Sequence, residues 1–124
     1  MNDYDALVIG PTPRSANGAL ERNFLRKEWS FLKEIADSGK PCLGVCCGGQ
    51  MLSIVLGGEV VKSPSKEVGG YTVSLTGDGL DDQLFHGFPG KFPVFHWHSD
   101  MFTVPPGGKL LATGTTCPIQ GYRT

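Results

Sequence analysis

The order of strand and helix patterns in the first half of the chain constrains the fold more than any other feature of the sequence. Two short apolar runs predict buried strands, and each is followed by a stretch that predicts a helix. These four segments are residues 5–9, 21–38, 41–46 and 49–57. Gly39, directly after the longer helix, fits a C-terminal stop. Strand, helix, strand, helix in this order is typical of a parallel sheet with crossover helices.

The second half of the chain predicts further short strands, which are separated by turns rich in proline and glycine. The candidate strands are residues 70–75, 91–100, 109–114 and 117–124, with a turn at 76–79. We therefore expect a three-layer α/β fold with a mainly parallel sheet, and a single domain over residues 1–124. Because few strands flank the first turns and the last candidate strand ends at Thr124, we expect this domain to be incomplete.

Composition and charge exclude several classes of function. The chain has 40% hydrophobic and 19% charged residues and a net charge of −1, so it lacks the basic excess of a nucleic-acid-binding protein. Its first residues lack the features of a signal peptide, and its longest apolar stretch is too short to span a bilayer. Four cysteines, two of them adjacent, then indicate reduced thiols and a cytoplasmic protein.

The segment GVCCG at residues 44–48 joins the second predicted strand to the second predicted helix. A nucleophile on such a strand–turn–helix elbow requires small residues two positions before and after it. Cys46 meets this requirement, whereas Val45 would occupy a small position if Cys47 were the nucleophile. The helix N-terminus would favour a thiolate at Cys46, and the N–H groups of Cys47 and Gly10 would form an oxyanion hole. The alternative is a buried strand that happens to contain cysteine.

His96 and His98 lie two residues apart, so on a strand they would share one face. No ligand spacing typical of a zinc site accompanies them. We therefore expect half-buried histidines in a pocket wall, and neither a metal nor a cofactor. His86 lies in a turn rich in glycine and proline and should be exposed.

The segment GVCCGGQMLSIVLGGEV at residues 44–60 resembles the reactive segment of class I glutamine amidotransferases. In that family Gly-Ile/Val-Cys-x-Gly-x-Gln is followed by a helix and Gly-Gly. The segments at residues 7–11, 65–76 and 94–114 resemble further blocks of the family in the same order. The resemblance covers essentially the whole chain, and it points to members similar to the glutaminase part of GMP synthetase.

The resemblance implies a flavodoxin-like fold and hydrolysis of the side-chain amide of glutamine through a thioester on Cys46. Gln50 would hold the substrate, and a later segment would line the pocket for the amino-acid group of glutamine, largely through its backbone. The residues of that segment are Trp97, His98, Ser99 and Asp100. The released ammonia would pass to a synthetase domain or subunit.

The sequence departs from the family pattern at several points. Ile9 stands where the family has a glycine, and Gly49 stands where it often has histidine. The family's His-Pro-Glu segment, which supplies a base and a carboxylate, does not occur in these 124 residues. Glu67 matches the family's Glu-x-Gly and is expected to brace a loop beside the site. The alternatives are a catalytically incomplete fragment, an interaction module or a γ-glutamyl hydrolase, and exposed apolar surface would favour oligomers.

Overall fold

The computed structural model describes residues 4–12, 15–18 and 23–124, and the chain divides into two compact units, residues 1–60 and 61–124. The elements of the first unit are β1 (Leu7–Ile9), a 3₁₀ turn (Ala16–Gly18), α1 (Asn23–Ser38), β2 (Cys42–Gly44) and α2 (Cys47–Val55). Those of the second are β3 (Val60–Leu75), which starts at the boundary, α3 (Gly77–Leu80), a 3₁₀ turn (Gln83–Phe85), β4 (Lys91–Phe102), β5 (Lys109–Gly114) and β6 (Gly121–Arg123).

The strands β1 and β2 form a parallel pair, as the order of strand and helix patterns predicts. Leu7 is paired with Cys42 and Ile9 with Gly44, so both strands end at the same edge. The connection between them contains α1, because parallel strands require a long crossover. In open α/β sheets ligands bind outside this carboxyl edge. The first unit therefore presents the segments after Ile9 and Gly44 side by side.

The helix α1 has the amphipathic pattern that the sequence predicts. Leu32 and Ile35 are buried and the charged side chains between them are exposed, so about 1.5–3 kcal/mol is available from each buried side chain. The helix ends before Gly39, whose φ of 68° is the left-handed conformation of a C-terminal stop. The first two residues of the predicted helix, 21 and 22, lie outside the described part of the chain.

The second unit is built on a four-stranded sheet in the order β4-β3-β5-β6. The pairs β3–β5 and β5–β6 are antiparallel, with a bulge at Leu111 in β5. The described residues therefore do not show a mainly parallel sheet, since the parallel pairing of β1 with β2 is not continued in this sheet. The physical reason is the length of the connections: residues 115–120 between β5 and β6 are too few for a crossover helix.

Two elements of the second unit differ from their prediction. The strand predicted at 70–75 is the end of the much longer β3, and the predicted turn at 76–79 begins a short helix. Thr76 caps this helix, because its hydroxyl accepts from the N–H of Gly79 at 3.1 Å and donates to the carbonyl of Leu110 at 2.5 Å. None of the described helices is long and apolar enough to cross a membrane.

Candidate functional site

Cys46 occupies a strained turn between β2 and α2. Its φ of 54° and ψ of −114° make it the only non-glycine residue with positive φ among the residues that the structure describes. A side chain persists in such a conformation only where the surrounding structure holds it there, and these conformations cluster at active sites. The backbone thus has the geometry of a nucleophile elbow, with the Cys46 side chain exposed.

Two glycines flank this turn because backbone atoms approach each other there. A Cβ on Gly44 would lie 2.6 Å from the nitrogen of Gly49, and a Cβ on Gly48 would lie 2.2 Å from the carbonyl oxygen of Ile9. Both separations are well inside van der Waals contact, so neither position accepts a side chain unless the backbone moves. The small residues of the GVCCG segment are therefore required by the packing of α2 against the ends of β1 and β2.

The end of β1 is hydrogen-bonded directly to the elbow. The N–H of Val45 donates to the carbonyl of Ile9 at 2.9 Å, and Gly48 packs against the same carbonyl. Gly10 follows Ile9 and is exposed. This places the Gly10 backbone beside the turn that carries Cys46. Its role as an oxyanion donor stays a prediction.

None of the four cysteines, all of which the structure describes, forms a disulfide, and they differ in exposure. Only Cys46 is exposed, whereas Cys47 is buried in the core of the first unit together with Leu32 and Met51. Cys42 is half-buried in β2, and burial raises the pKa of its thiol. Cys117 is completely buried. Among the four cysteines, only Cys46 combines an exposed thiol with a strained backbone, and its role as the nucleophile stays a prediction.

Gln50 lies in α2, one turn after the elbow. Its side chain is only 6% exposed, and its backbone N–H donates to the carbonyl of Cys46 at 3.1 Å. Gln50 therefore supports the backbone of the elbow through the helix. Its predicted contact with a substrate remains a prediction.

The segment Trp97 to Asp100 lies on β4 in the second unit, and its side chains alternate between two faces. Trp97 and Ser99 are exposed, with 71% of Trp97 accessible, whereas His98 and Asp100 are half-buried. Asp100 forms an ion pair with Lys62 of β3 at 2.5 Å. The side chains of His98 and Asp100 are therefore half-buried on one face of the strand, whereas those of Trp97 and Ser99 are exposed on the other.

A buried carboxylate lies behind this segment. Oε2 of Glu67, a residue only 1% exposed, is 2.8 Å from Nδ1 of His96, 2.8 Å from Nε2 of His98 and 2.9 Å from the amide nitrogen of Gln120. We call these four residues the Glu67 cluster. Sequence reasoning found its parts separately, as two histidines on one strand face and a Glu-x-Gly match, but did not join them or include Gln120.

The electrostatics of the Glu67 cluster favour an ionised carboxylate. Burial by itself raises the pKa of Glu67, but hydrogen bonds from Gln120 and His96 and the charges of the two histidines together lower it below its ordinary value. Nδ1 of His98 lies 3.1 Å from the carbonyl oxygen of Asp100, which can only accept. His98 therefore contacts the carboxylate with one ring nitrogen and a backbone carbonyl oxygen with the other.

The donor atoms of Glu67, His96 and His98 lie within 4.8 Å of one another, which is also a set that could hold a divalent cation. The contacts of 2.8 Å are shorter than the separation of about 3.3 Å between ligands of a tetrahedral zinc ion. The atoms would have to move apart to admit a metal. The present geometry is therefore that of a hydrogen-bonded ion cluster.

Comparison with known proteins places the chain in one family. The family described as "Glutamine amidotransferase class-I" matches residues 1–123. Among curated proteins, the glutamine amidotransferase-like protein YfeJ of Salmonella typhimurium is 32% identical over 122 residues, which are 96% of this chain and 51% of that protein. One subunit of a glutamine-hydrolysing GMP synthase from Archaeoglobus fulgidus is 35% identical over 127 residues, covering 99% and 61%.

A solved structure gives the same result for the fold. The crystal structure of a glutamine amidotransferase from Thermotoga maritima superposes with a TM-score of 0.89 at 31% identity, covering 99% of this chain and 53% of that one. The fold is thus the flavodoxin-like α/β fold of these enzymes. The chain belongs to the class I glutamine amidotransferase family. Its domain is of the kind found in the matched GMP synthase subunit from Archaeoglobus fulgidus, and it spans about half the length of YfeJ.

Proposed function

We propose that the protein hydrolyses the side-chain amide of glutamine, with Cys46 as the nucleophile. The Cys46 sulfur attacks the amide carbon, and the N–H groups of Gly10 and Cys47 stabilise the oxyanion that forms. The C–N bond then breaks and ammonia leaves, taking the proton lost by the thiol. Water hydrolyses the γ-glutamyl thioester to glutamate and regenerates Cys46.

One observation carries this proposal: Cys46 combines a strained backbone, an exposed thiol and a position at the start of α2. The alternative of a buried structural cysteine does not account for the exposure or the strain. The family supports glutamine as the substrate. We further propose that Gln50 and the segment Trp97 to Asp100 bind the amino-acid part of glutamine.

The fate of the ammonia and the location of the protein extend the proposal. Several of the matched relatives are named as glutamine-hydrolysing GMP synthases or their subunits, which supports transfer of ammonia to a synthetase domain or subunit. Four cysteines without a disulfide support a reducing compartment and hence the cytoplasm. Apolar side chains are exposed on β1, β2 and β4, among them Val8 and Phe95. This exposure supports the formation of an oligomer or the binding of a partner.

A second candidate function is an interaction module without turnover. The observation that favours it is the exposed apolar surface of the chain, which includes Val8 and Phe95. Release of ammonia from glutamine distinguishes the two functions, and cleavage of γ-glutamyl peptides would identify a γ-glutamyl hydrolase instead.

The test uses the full-length gene product and a diazo-ketone analogue of glutamine. We expect the analogue to label Cys46, as located by peptide mass spectrometry, and free glutamine to block the labelling. Cys46→Ser should abolish ammonia release, while the matched variant Cys42→Ser should retain it. Full activity in Cys46→Ser, or labelling of another cysteine, would refute the proposed function.

A further inference from the structure

The Glu67 cluster links three separate segments of the second unit through one carboxylate oxygen. Glu67 lies on β3, the two histidines lie on β4, and Gln120 lies in the loop before β6. The Gln120 amide also donates to the carbonyl of Cys117 at 3.2 Å, which fixes the loop to the same carboxylate. A carboxylate that is 1% exposed and accepts several charge-assisted bonds is a rigid anchor.

His98 connects the Glu67 carboxylate to the backbone of β4. One ring nitrogen contacts Glu67 at 2.8 Å, and the other contacts the carbonyl of Asp100 at 3.1 Å. The imidazole therefore bridges the carboxylate on β3 and a peptide group two residues further along its own strand. We expect that displacing the Glu67 carboxylate would turn this ring and shift the peptide groups between His98 and Asp100.

The anchored backbone is the part of β4 that the proposed function uses. Trp97 and Ser99 are exposed on one face of the strand, and the side chains of His98 and Asp100 are half-buried on the other face, where Glu67 lies. A second tether, the ion pair of Lys62 with Asp100, is exposed at the lysine end and contributes little by itself. Of these two side-chain contacts, the buried one with Glu67 is therefore the stronger constraint on this segment.

We infer that Glu67 is a positioning residue for glutamine binding, which acts through His98 on the backbone of Trp97 to Asp100. This inference rests on the proposed function. Glu67 does not touch the substrate: it holds the peptide groups that bind the α-amino and α-carboxyl groups of glutamine. Its loss should weaken binding of glutamine more than it slows the chemistry at Cys46.

The experiment compares Glu67→Gln with the parent full-length protein. The variant preserves volume and removes the charge, and losing one charge-assisted contact corresponds to a rise of about tenfold in the KM for glutamine. We expect kcat to change by less than about threefold, since the group that forms the thioester is intact. Glu67→Asp retains the charge, and its KM for glutamine should lie between those of the parent and of Glu67→Gln. Asp82→Asn, which removes a different ion-paired carboxylate of the same unit, should leave KM unchanged.

A second readout does not depend on turnover. The concentration of glutamine that half-protects Cys46 from the diazo-ketone analogue should rise in Glu67→Gln by the same factor as KM. If Glu67→Gln fails to fold, Gln120→Ala removes one donor while retaining the carboxylate, and it should raise the half-protecting concentration about threefold. Iodoacetamide, which needs no glutamine pocket, should label Cys46 equally in the parent and the variants.

The outcomes separate the inference from the function on which it rests. A parent protein whose Cys46 is never protected by glutamine refutes the proposed function. Protection at the parental concentration in Glu67→Gln, or a fall in kcat at constant KM, overturns the inference alone. A stoichiometric zinc ion in the parent that is absent from Glu67→Gln would also overturn it, because the residues would then be metal ligands.

Discussion

Replacing Gly48 with alanine tests the packing that creates the elbow. The added Cβ would lie 2.2 Å from the carbonyl oxygen and 2.8 Å from the carbonyl carbon of Ile9, so α2 and the end of β1 must separate by about 1 Å to reach an ordinary contact. Such overpacking costs about 1–3 kcal/mol, and loss of the Val45–Ile9 hydrogen bond adds about 1 kcal/mol. The helix propensity of alanine offsets up to about 1 kcal/mol. The expected net destabilisation is about 2 kcal/mol.

This change should lower the Tm by roughly 10 °C, measured by circular dichroism or calorimetry. Labelling of Cys46 by the glutamine analogue should also slow, because the backbone that orients its thiol moves. Gly70→Ala is the matched control: nothing lies within 4 Å of its added Cβ, and its stability should change by less than about 0.5 kcal/mol. A Gly48→Ala protein that melts and reacts like the parent would show that the close approach is not what requires glycine.

Three further predictions concern strain, pH and salt. Because Cys46 has a φ of 54°, Cys46→Gly should be more stable than Cys46→Ala by about 1 kcal/mol in urea unfolding, and the opposite order would contradict the assigned strain. The pKa of Glu67 is lowered on folding, so its stabilisation is present above the ordinary carboxyl pKa of about 4.3 and is lost as the pH falls through the folded value. The urea midpoint should fall in acid in the parent, and this component should be absent from Glu67→Gln. Arg123→Met removes the ion pair between Arg123 and Asp82, in which the arginine side chain is half-exposed. The change should lower the free energy of unfolding by less than about 1 kcal/mol at low salt, and by less still in about 1 M salt. A larger loss that salt does not reduce would contradict this surface assignment.

The elbow shows what could be predicted from residues that are close in the chain. Gly44 and Gly48 each lie two positions from Cys46, and this spacing of small residues selects Cys46 over Cys47 as the residue in the strained turn. The parallel pairing of β1 and β2 was predictable for a similar reason. The helix between them forms the long crossover connection that a parallel pair requires. The glutamine-binding roles of Gln50 and of Trp97 to Asp100 are still predictions.

The sheet of the second unit was predicted less well. Short segments between turns rich in proline and glycine indicated strands at 91–100 and 109–114, and the structure has both. The pattern of one strand does not specify the direction of its neighbour, and a mainly parallel sheet was expected by extension from the first unit. The short connection at residues 115–120 favours the antiparallel pairing that is observed.

By itself, the sequence determined the strand–helix–strand order, the turn at Cys46 and the family, because each depends on local spacing or on an ordered set of motifs. Only the tertiary structure assembled the Glu67 cluster. Glu67 is 29 positions from His96 and 53 from Gln120, and no local pattern relates residues at such separations. Their meeting depends on the order of strands in the sheet, which brings three partners to one buried carboxylate oxygen. Hydrogen bonds and the charges of the two histidines lower the pKa of that carboxylate against the effect of burial.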